Sequence, residues 1–351
     1  MYLQQTMPDR IDQLAGWIDY NNPNQLAMAA GAEDYGLHVD ELRAVLEQNQ
    51  DWITALIETT RMDTFDLYLK TRPLNAPLEP DDPRREGYLS FYRKAARILR
   101  ADSIRHWSLG HREESIERVA SILRLSSHIQ QEEYGMLLKL VTDSILKTGI
   151  DSAFVLIDYA NPPLSRQQLR PIENVLPRFD ANDPCGLFAS WQVQSQLGID
   201  FLESHLADGA IDLEVDYLAS GLRAIETMSM GLFEYAINPN SFQGDITAKL
   251  REEALDDVLE AVREYKTDDE RYESAQMALQ LARKHKPLIE QSWQDTTKLE
   301  GLRETIEHEV TEDQQYYYEI AIVGFTSFQR TNLEAVAKLR KLQELIESSS
   351  E

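Results

Sequence analysis

Three residue patterns in this chain could carry chemistry. The first is histidine and carboxylate at i, i+4: His128 with Glu132, Glu304 with His308, and His308 with Glu312. On a helix such a pair shares one face and offers two ligands to a metal ion. Two ligands are too few, so no metal and no cofactor is expected. The second pattern is a row of arginines. Arg93, Arg97 and Arg100 fall at i, i+4, i+7 with Tyr92 beside them and Arg105 further along. Guanidinium forks on one helix face can clamp a carboxylate or phosphate. These five residues are the candidate binding residues. The competing reading is that the same face pairs with Asp and Glu of neighbouring helices at little net gain. The third pattern is Tyr316-Tyr317-Tyr318. Consecutive helical side chains point ~100° apart, so at most two of these rings share a face, and packing is their expected role.

Other features are bland. Cys185, in "DPCGLF", has no histidine near it in sequence, and a single cysteine cannot form an intramolecular disulfide. The acidic run Glu252, Glu253, Asp256, Asp257 and Glu260 reads as a solvated helix face without an EF-hand loop. GxSxG, P-loop, GxGxxG, HExxH and Glu-x-x-His motifs are all absent, so no catalytic residue is nominated.

The arginine row stands out against the whole chain. Of 351 residues, 60 are acidic and 35 basic, a formal net charge of −25. Between Arg84 and Arg124, however, ten basic residues face five acidic ones. The overall charge argues against nucleic acid and against anionic membrane surfaces as partners. No run of ~18 apolar residues suggests a transmembrane helix. The opening "MYLQQTMPDRIDQL" lacks the charged and apolar regions of a signal peptide.

Helical periodicity positions these residues. Residues 91–129 fit two antiparallel helices joined at Leu109-Gly110-His111, with Ile116, Val119, Ala120 and Leu123 at i, i+3, i+4, i+7. Gly110, Ser115, Val119, Ile122 and Leu125 partly follow the second half of a tetratricopeptide hairpin, whose first helix lines a concave groove, although no copies recur at ~34 residues. Residues 136–157 are apolar almost all round and predict a central buried helix. Lys139, Asp143, Lys147 and Asp151 recur every four residues as its expected solvent stripe. Leu187, Trp191, Gly198, Leu202 and Leu206 make another face, and Leu218 to Ala236 the next. A helix from Asp268 is expected to stop at Pro287, and one long pattern runs from about Thr311 to Ile346. Residues 70–87 read as an extended connector and 160–186 as loop, short helix, loop, with Ser165 and Gln168 as a capping box.

The run from Leu109 to Asp180 resembles a family of exported, all-helical proteins of unknown function common in planctomycete bacteria. The resemblance rests on Gly110, Ser115, the Ile122-Leu123-Arg124-Leu125 segment with His128 and Ile129, Leu137 to Ile145, and Leu164-Ser165 with Leu169, Ile172 and Leu176. It spans about 85–180 and departs where Glu132-Glu133-Tyr134-Gly135 replaces the family's Glu-Pro. It implies helical architecture and export behind a signal or anchor outside this chain, and it brings no catalytic residue. A cytoplasmic location is the alternative.

The expectation is an all-α protein of antiparallel helical hairpins, an irregular tetratricopeptide-like stack or a multi-helix bundle. It is read as one helical domain over 1–351, with sub-regions 1–72, 86–180 and 187–346. The expected function is a binding or scaffolding module for a peptide or protein partner. An enzyme holding a small anionic or glycan substrate between helices is one alternative, and a structural part of an envelope assembly is another.

Overall fold

The computed structural model describes residues 38–62, 84–131, 136–206, 268–322 and 324–349. The expected helix over 218–236, the acidic face at 252–260 and Glu132 lie outside the described residues. Every described element is helical, and no strand occurs among them. The elements are α1 (His38–Gln48), α2 (Gln50–Thr60), α3 (Arg84–Ser108), α4 (Arg112–Gln130), α5 (Met136–Asp158), α6 (Arg166–Glu173), α7 (Leu187–Leu206), α8 (Asp268–Ser292), α9 (Thr296–Glu309), α10 (Glu312–Ala321) and α11 (Phe325–Ser348). A 3-10 turn, Leu176–Arg178, follows α6.

Contacts divide the chain into two compact units, Met1–Gly186 with Asn332–Glu351, and Leu187–Thr331. In the first, α4 packs against both α3 and α5, which also touch each other. That arrangement explains the wide apolar arc of α4, where Ile116, Val119, Ala120, Ile122 and Leu123 are all fully buried. Its core continues through Leu46, Ile53 and Leu56 of α1 and α2 to Ile98 and Leu99 of α3. Each such aliphatic side chain contributes about 1.5–3 kcal/mol on burial. The predicted capping box forms: Ser165 Oγ accepts from Gln168 N at 3.3 Å, and Gln168 Oε1 accepts from Ser165 N at 3.0 Å.

In the second unit α7, α8 and α10 pack pairwise. Phe188, Trp191 and Trp293 form an aromatic cluster with centroid separations of 4.9–6.4 Å. Gly198 lets α7 approach the α10 backbone. A Cβ there would lie 2.1 Å from the carbonyl oxygen of Ile320.

Four sequence expectations are corrected. Pro287 does not stop α8, which runs on to Ser292: the ring removes one amide donor, and only the helix's final residues follow it. The pattern from Thr311 to Ile346 is two helices, divided between Ala321 and Phe325. Helix α3 begins at Arg84, inside the expected connector. The stripe on α5 is not a solvent stripe: Lys139 is 6% exposed and Asp143 is 3% exposed. Lys139 Nζ donates to the Gln130 carbonyl at 2.6 Å. Beyond it, residues of α11 meet the stripe. Lys147 Nζ lies 3.1 Å from Glu334, Lys338 Nζ lies 2.7 Å from Asp151, and the Lys341 ammonium stands 5.1 Å from the Phe154 ring centroid.

Candidate functional site

Helix α3 ends in a Schellman motif. The His111 amide donates to the His106 carbonyl at 2.9 Å and the Gly110 amide to that of Trp107 at 3.0 Å, with Gly110 at φ 79°. This left-handed turn needs glycine, and it swings α4 back beside α3. Asp102 of α3 then meets Arg118 of α4. The Asp102 carboxylate has no exposed surface. Its Oδ1 accepts from Arg105 Nε at 2.8 Å and from Gln50 Nε2 at 3.0 Å, and its Oδ2 accepts from Arg118 Nε at 2.7 Å.

His106 completes this cluster. Arg105 Nη2, which can only donate, lies 2.7 Å from His106 Nε2, so that nitrogen accepts and the neutral ring carries its proton on Nδ1. Burial, then the Arg118 cation with Arg105 adding to it, holds the imidazole down to about 4 against the pull of Asp102. The structure thus places Arg97, Arg100, Arg105 and Tyr92 in the interior, 7%, 6%, 8% and 8% exposed, and Arg93 half-buried. Arg105 is committed to Asp102, while Tyr92 packs edge-on against Phe91 at 5.4 Å.

The histidine–carboxylate pairs come to different ends. His128 is buried, with Nε2 2.9 Å from the Thr60 carbonyl oxygen. Glu304 and His308 are exposed. No group of three or more His, Cys, Asp or Glu that could hold a metal occurs among the described residues. Cys185 is buried with its Sγ 3.9 Å from Asp143 Oδ1, and burial followed by the Asp143 charge pushes the thiol well up.

Two arrangements escaped the sequence reading. In the second unit, His285 Nε2 lies 2.8 Å from Glu309 Oε2 and His285 Nδ1 lies 3.0 Å from Tyr318 Oη. Lys284 also donates to Glu309, at 2.6 and 2.7 Å, and holds its carboxyl below the usual range, with His285 adding to the effect. The series resembles an acid–base relay. However, His285 is fully buried, Tyr318 is 4% exposed, and burial pushes the phenol up. The series fastens α8 to α9 and α10.

The second arrangement is at the surface of the first unit. Arg112, three residues past the Leu109 turn, donates to the carbonyls of Pro162 at 3.0 Å and Asn161 at 2.6 Å. Its guanidinium also lies 5.3 Å from the Trp107 ring centroid. The α3–α4 turn and the loop after α5 are therefore tied into one platform. Leu109 is 48% exposed on one side of the tie and Tyr159 is 49% exposed on the other. Pro162 and Pro163 are exposed beside them. Two large exposed apolar side chains thus stand on backbone segments that Arg112 joins. The Trp107 and Gly110 half of the platform was visible in sequence, but the bridge to Asn161 and Pro162 was not.

Fold and surface together define an all-α protein with no helix among its described residues long and apolar enough to cross a membrane. Compared with protein-family models, curated proteins and solved structures, the chain matches none of them.

Proposed function

We propose that the chain is a helical binding or scaffolding module for a peptide or protein partner, and that the Trp107–Leu109–Tyr159 platform is where the partner docks. The supporting observation is the Arg112 bridge, which fixes exposed Leu109 and Tyr159 relative to each other before any partner arrives. Contacts held in place beforehand cost less ordering entropy on binding. The arginine row supports a surface clamp less well, because most of its side chains are buried.

The test is selection of peptides from a displayed library on the purified chain. Binding of the selected peptides to wild type and to Leu109→Ser/Tyr159→Ser is then measured by anisotropy. Both positions are exposed, so the variant should unfold at the wild-type urea midpoint. A loss of tenfold or more in the variant supports the platform. Peptides that bind both proteins equally refute it. Export, implied by the resemblance over 85–180, belongs to the same proposal and is checked by fractionating the native cells.

A further inference from the structure

The charges around the platform indicate what kind of segment it takes. Glu113 and Glu114, in the first turn of α4, are exposed directly after Arg112. Asp158, the last residue of α5, is exposed directly before Tyr159. None of the three carboxylates is in an ion pair among the described residues. Two cations adjoin them, and both are turned inward: Arg112 is half-buried with its fork on two backbone carbonyls and the Trp107 ring, and buried Arg118 reaches the Glu114 carbonyl at 3.1 Å but is paired with Asp102. Arg166, the next cation along the loop, is matched by Glu173 at 3.0 and 2.6 Å. Beside the apolar surface the chain thus carries three solvent-facing negative charges, while the adjoining Arg112 and Arg118 are turned inward.

Resting on the platform reading, we infer that the partner is a cationic segment of another protein. Its apolar side chains cover Leu109 and Tyr159 while its Lys or Arg side chains meet Glu113, Glu114 and Asp158. An acidic segment would be repelled by these carboxylates, and a neutral one would forgo contacts with them and the faster encounter that complementary charge gives. The long-range field has the same sign, since the whole chain carries −25. Apolar contact thereby sets where the segment sits, and charge sets which segments are accepted.

Fluorescence anisotropy tests this with three labelled peptides of identical Leu and Trp content whose polar positions are all Lys, all Gln or all Glu. The proteins are wild type, Leu109→Ser/Tyr159→Ser, and Glu113→Gln/Glu114→Gln/Asp158→Asn. Urea midpoints matching wild type establish that each is folded. The triple variant removes three of 60 acidic residues, so diffuse attraction to the chain survives in it while attraction to these three carboxylates does not.

The expected result is that the Lys peptide binds tightest and weakens roughly tenfold in the triple variant, from three exposed charge contacts. It should weaken at least as much in the double variant. Three results overturn the inference in distinguishable ways. If the Lys peptide binds the triple variant as well as wild type, the attraction is diffuse. If the Gln peptide binds as tightly as the Lys peptide and loses affinity only in the double variant, the platform stands but its charge selectivity does not. If the double variant binds every peptide as wild type does, the platform itself is wrong.

Discussion

Replacing Asp102 by Asn removes one negative charge from the interior of the α3–α4 hairpin and leaves both of its guanidinium partners there. In the native protein the carboxylate accepts three hydrogen bonds, at 2.8, 3.0 and 2.7 Å, from Arg105, Gln50 and Arg118. An Asn side chain keeps one acceptor oxygen. Whichever way it turns, its amide donors confront a guanidinium donor. Arg105 and Arg118 are each 8% exposed, so water reaches them poorly. Losing one partner of a buried ion pair costs about 3–5 kcal/mol, chiefly because the remaining charge is uncompensated. Two cations share the loss here, but both keep some contact with solvent, so about 3 kcal/mol is expected. For a denaturant slope of about 2–3 kcal/mol per molar, the urea midpoint should fall by about 1 M.

The control decides whether orphaned charge is the cause. Asp102→Leu combined with Arg105→Met and Arg118→Met removes all three charges and fills the space with apolar groups. Apolar replacement of a buried ionic group is often neutral or stabilising. The triple variant should therefore be more stable than Asp102→Asn alone. A midpoint shift under ~0.3 M for Asp102→Asn, or a triple variant as unstable as the single one, refutes the reasoning.

Three further predictions can be checked with the same purified protein. Gly198→Ala should destabilise by about 3 kcal/mol or more, because its Cβ would press on the Ile320 backbone, whereas Gly301→Ala on open α9 should stabilise by about 0.5–1 kcal/mol; urea midpoints separate the two. Stability against pH should show two opposed limbs. As pH falls below about 6.5 the unfolded chain protonates His106 while the folded ring resists until about 4, so stability is lost through that window, and His106→Gln should flatten the loss. Asp143 is raised to about 6 by burial despite Lys147, so the folded state takes its proton first as pH falls and gains stability between about 6 and 4; Asp143→Asn should raise the urea midpoint at pH 7.5 and raise it by clearly less at pH 4.5. Finally, the buried Cys185 thiol should react with a disulfide reagent only as fast as the protein opens, with prompt labelling of native protein as the contrary result.

Much of the helical architecture was legible because helices announce themselves by period. The apolar residues of α4 and α5, the glycine turn at Gly110 and the Ser165–Gln168 box all appear in sequence before they appear in space. The candidate site was legible only in part. The arginine row was visible, but not Asp102 as the buried partner of Arg105 and Arg118, because one acidic residue among five carries no mark of burial. The platform depends on Arg112 reaching the Asn161 and Pro162 carbonyls about fifty positions away. No local pattern encodes such a contact. The Glu309–His285–Tyr318 series likewise joins three helices and has no spacing signature.

The polar stripe of α5 shows why periodicity alone misleads about environment. A charge every four residues says that one face is polar. It does not say whether water or protein lies opposite. Here the partners come at a constant offset of 187 residues: Lys147 with Glu334, Asp151 with Lys338, and Phe154 with Lys341. A constant positive offset means that α5 and α11 run in the same direction along this contact. Helix α11 carries its own matching period, with Glu334, Lys338 and Lys341 beside a buried row of Ala335, Val336, Leu339 and Leu342. The pairing reverses sign from one rung to the next, a Lys of α5 to a Glu of α11 and then an Asp of α5 to a Lys of α11. Sliding the helices by one turn would bring Lys147 against Lys338 and leave Glu334 and Asp151 without these partners. The ladder thus fixes register more than it adds stability, since pairs this exposed contribute ~0–1 kcal/mol each.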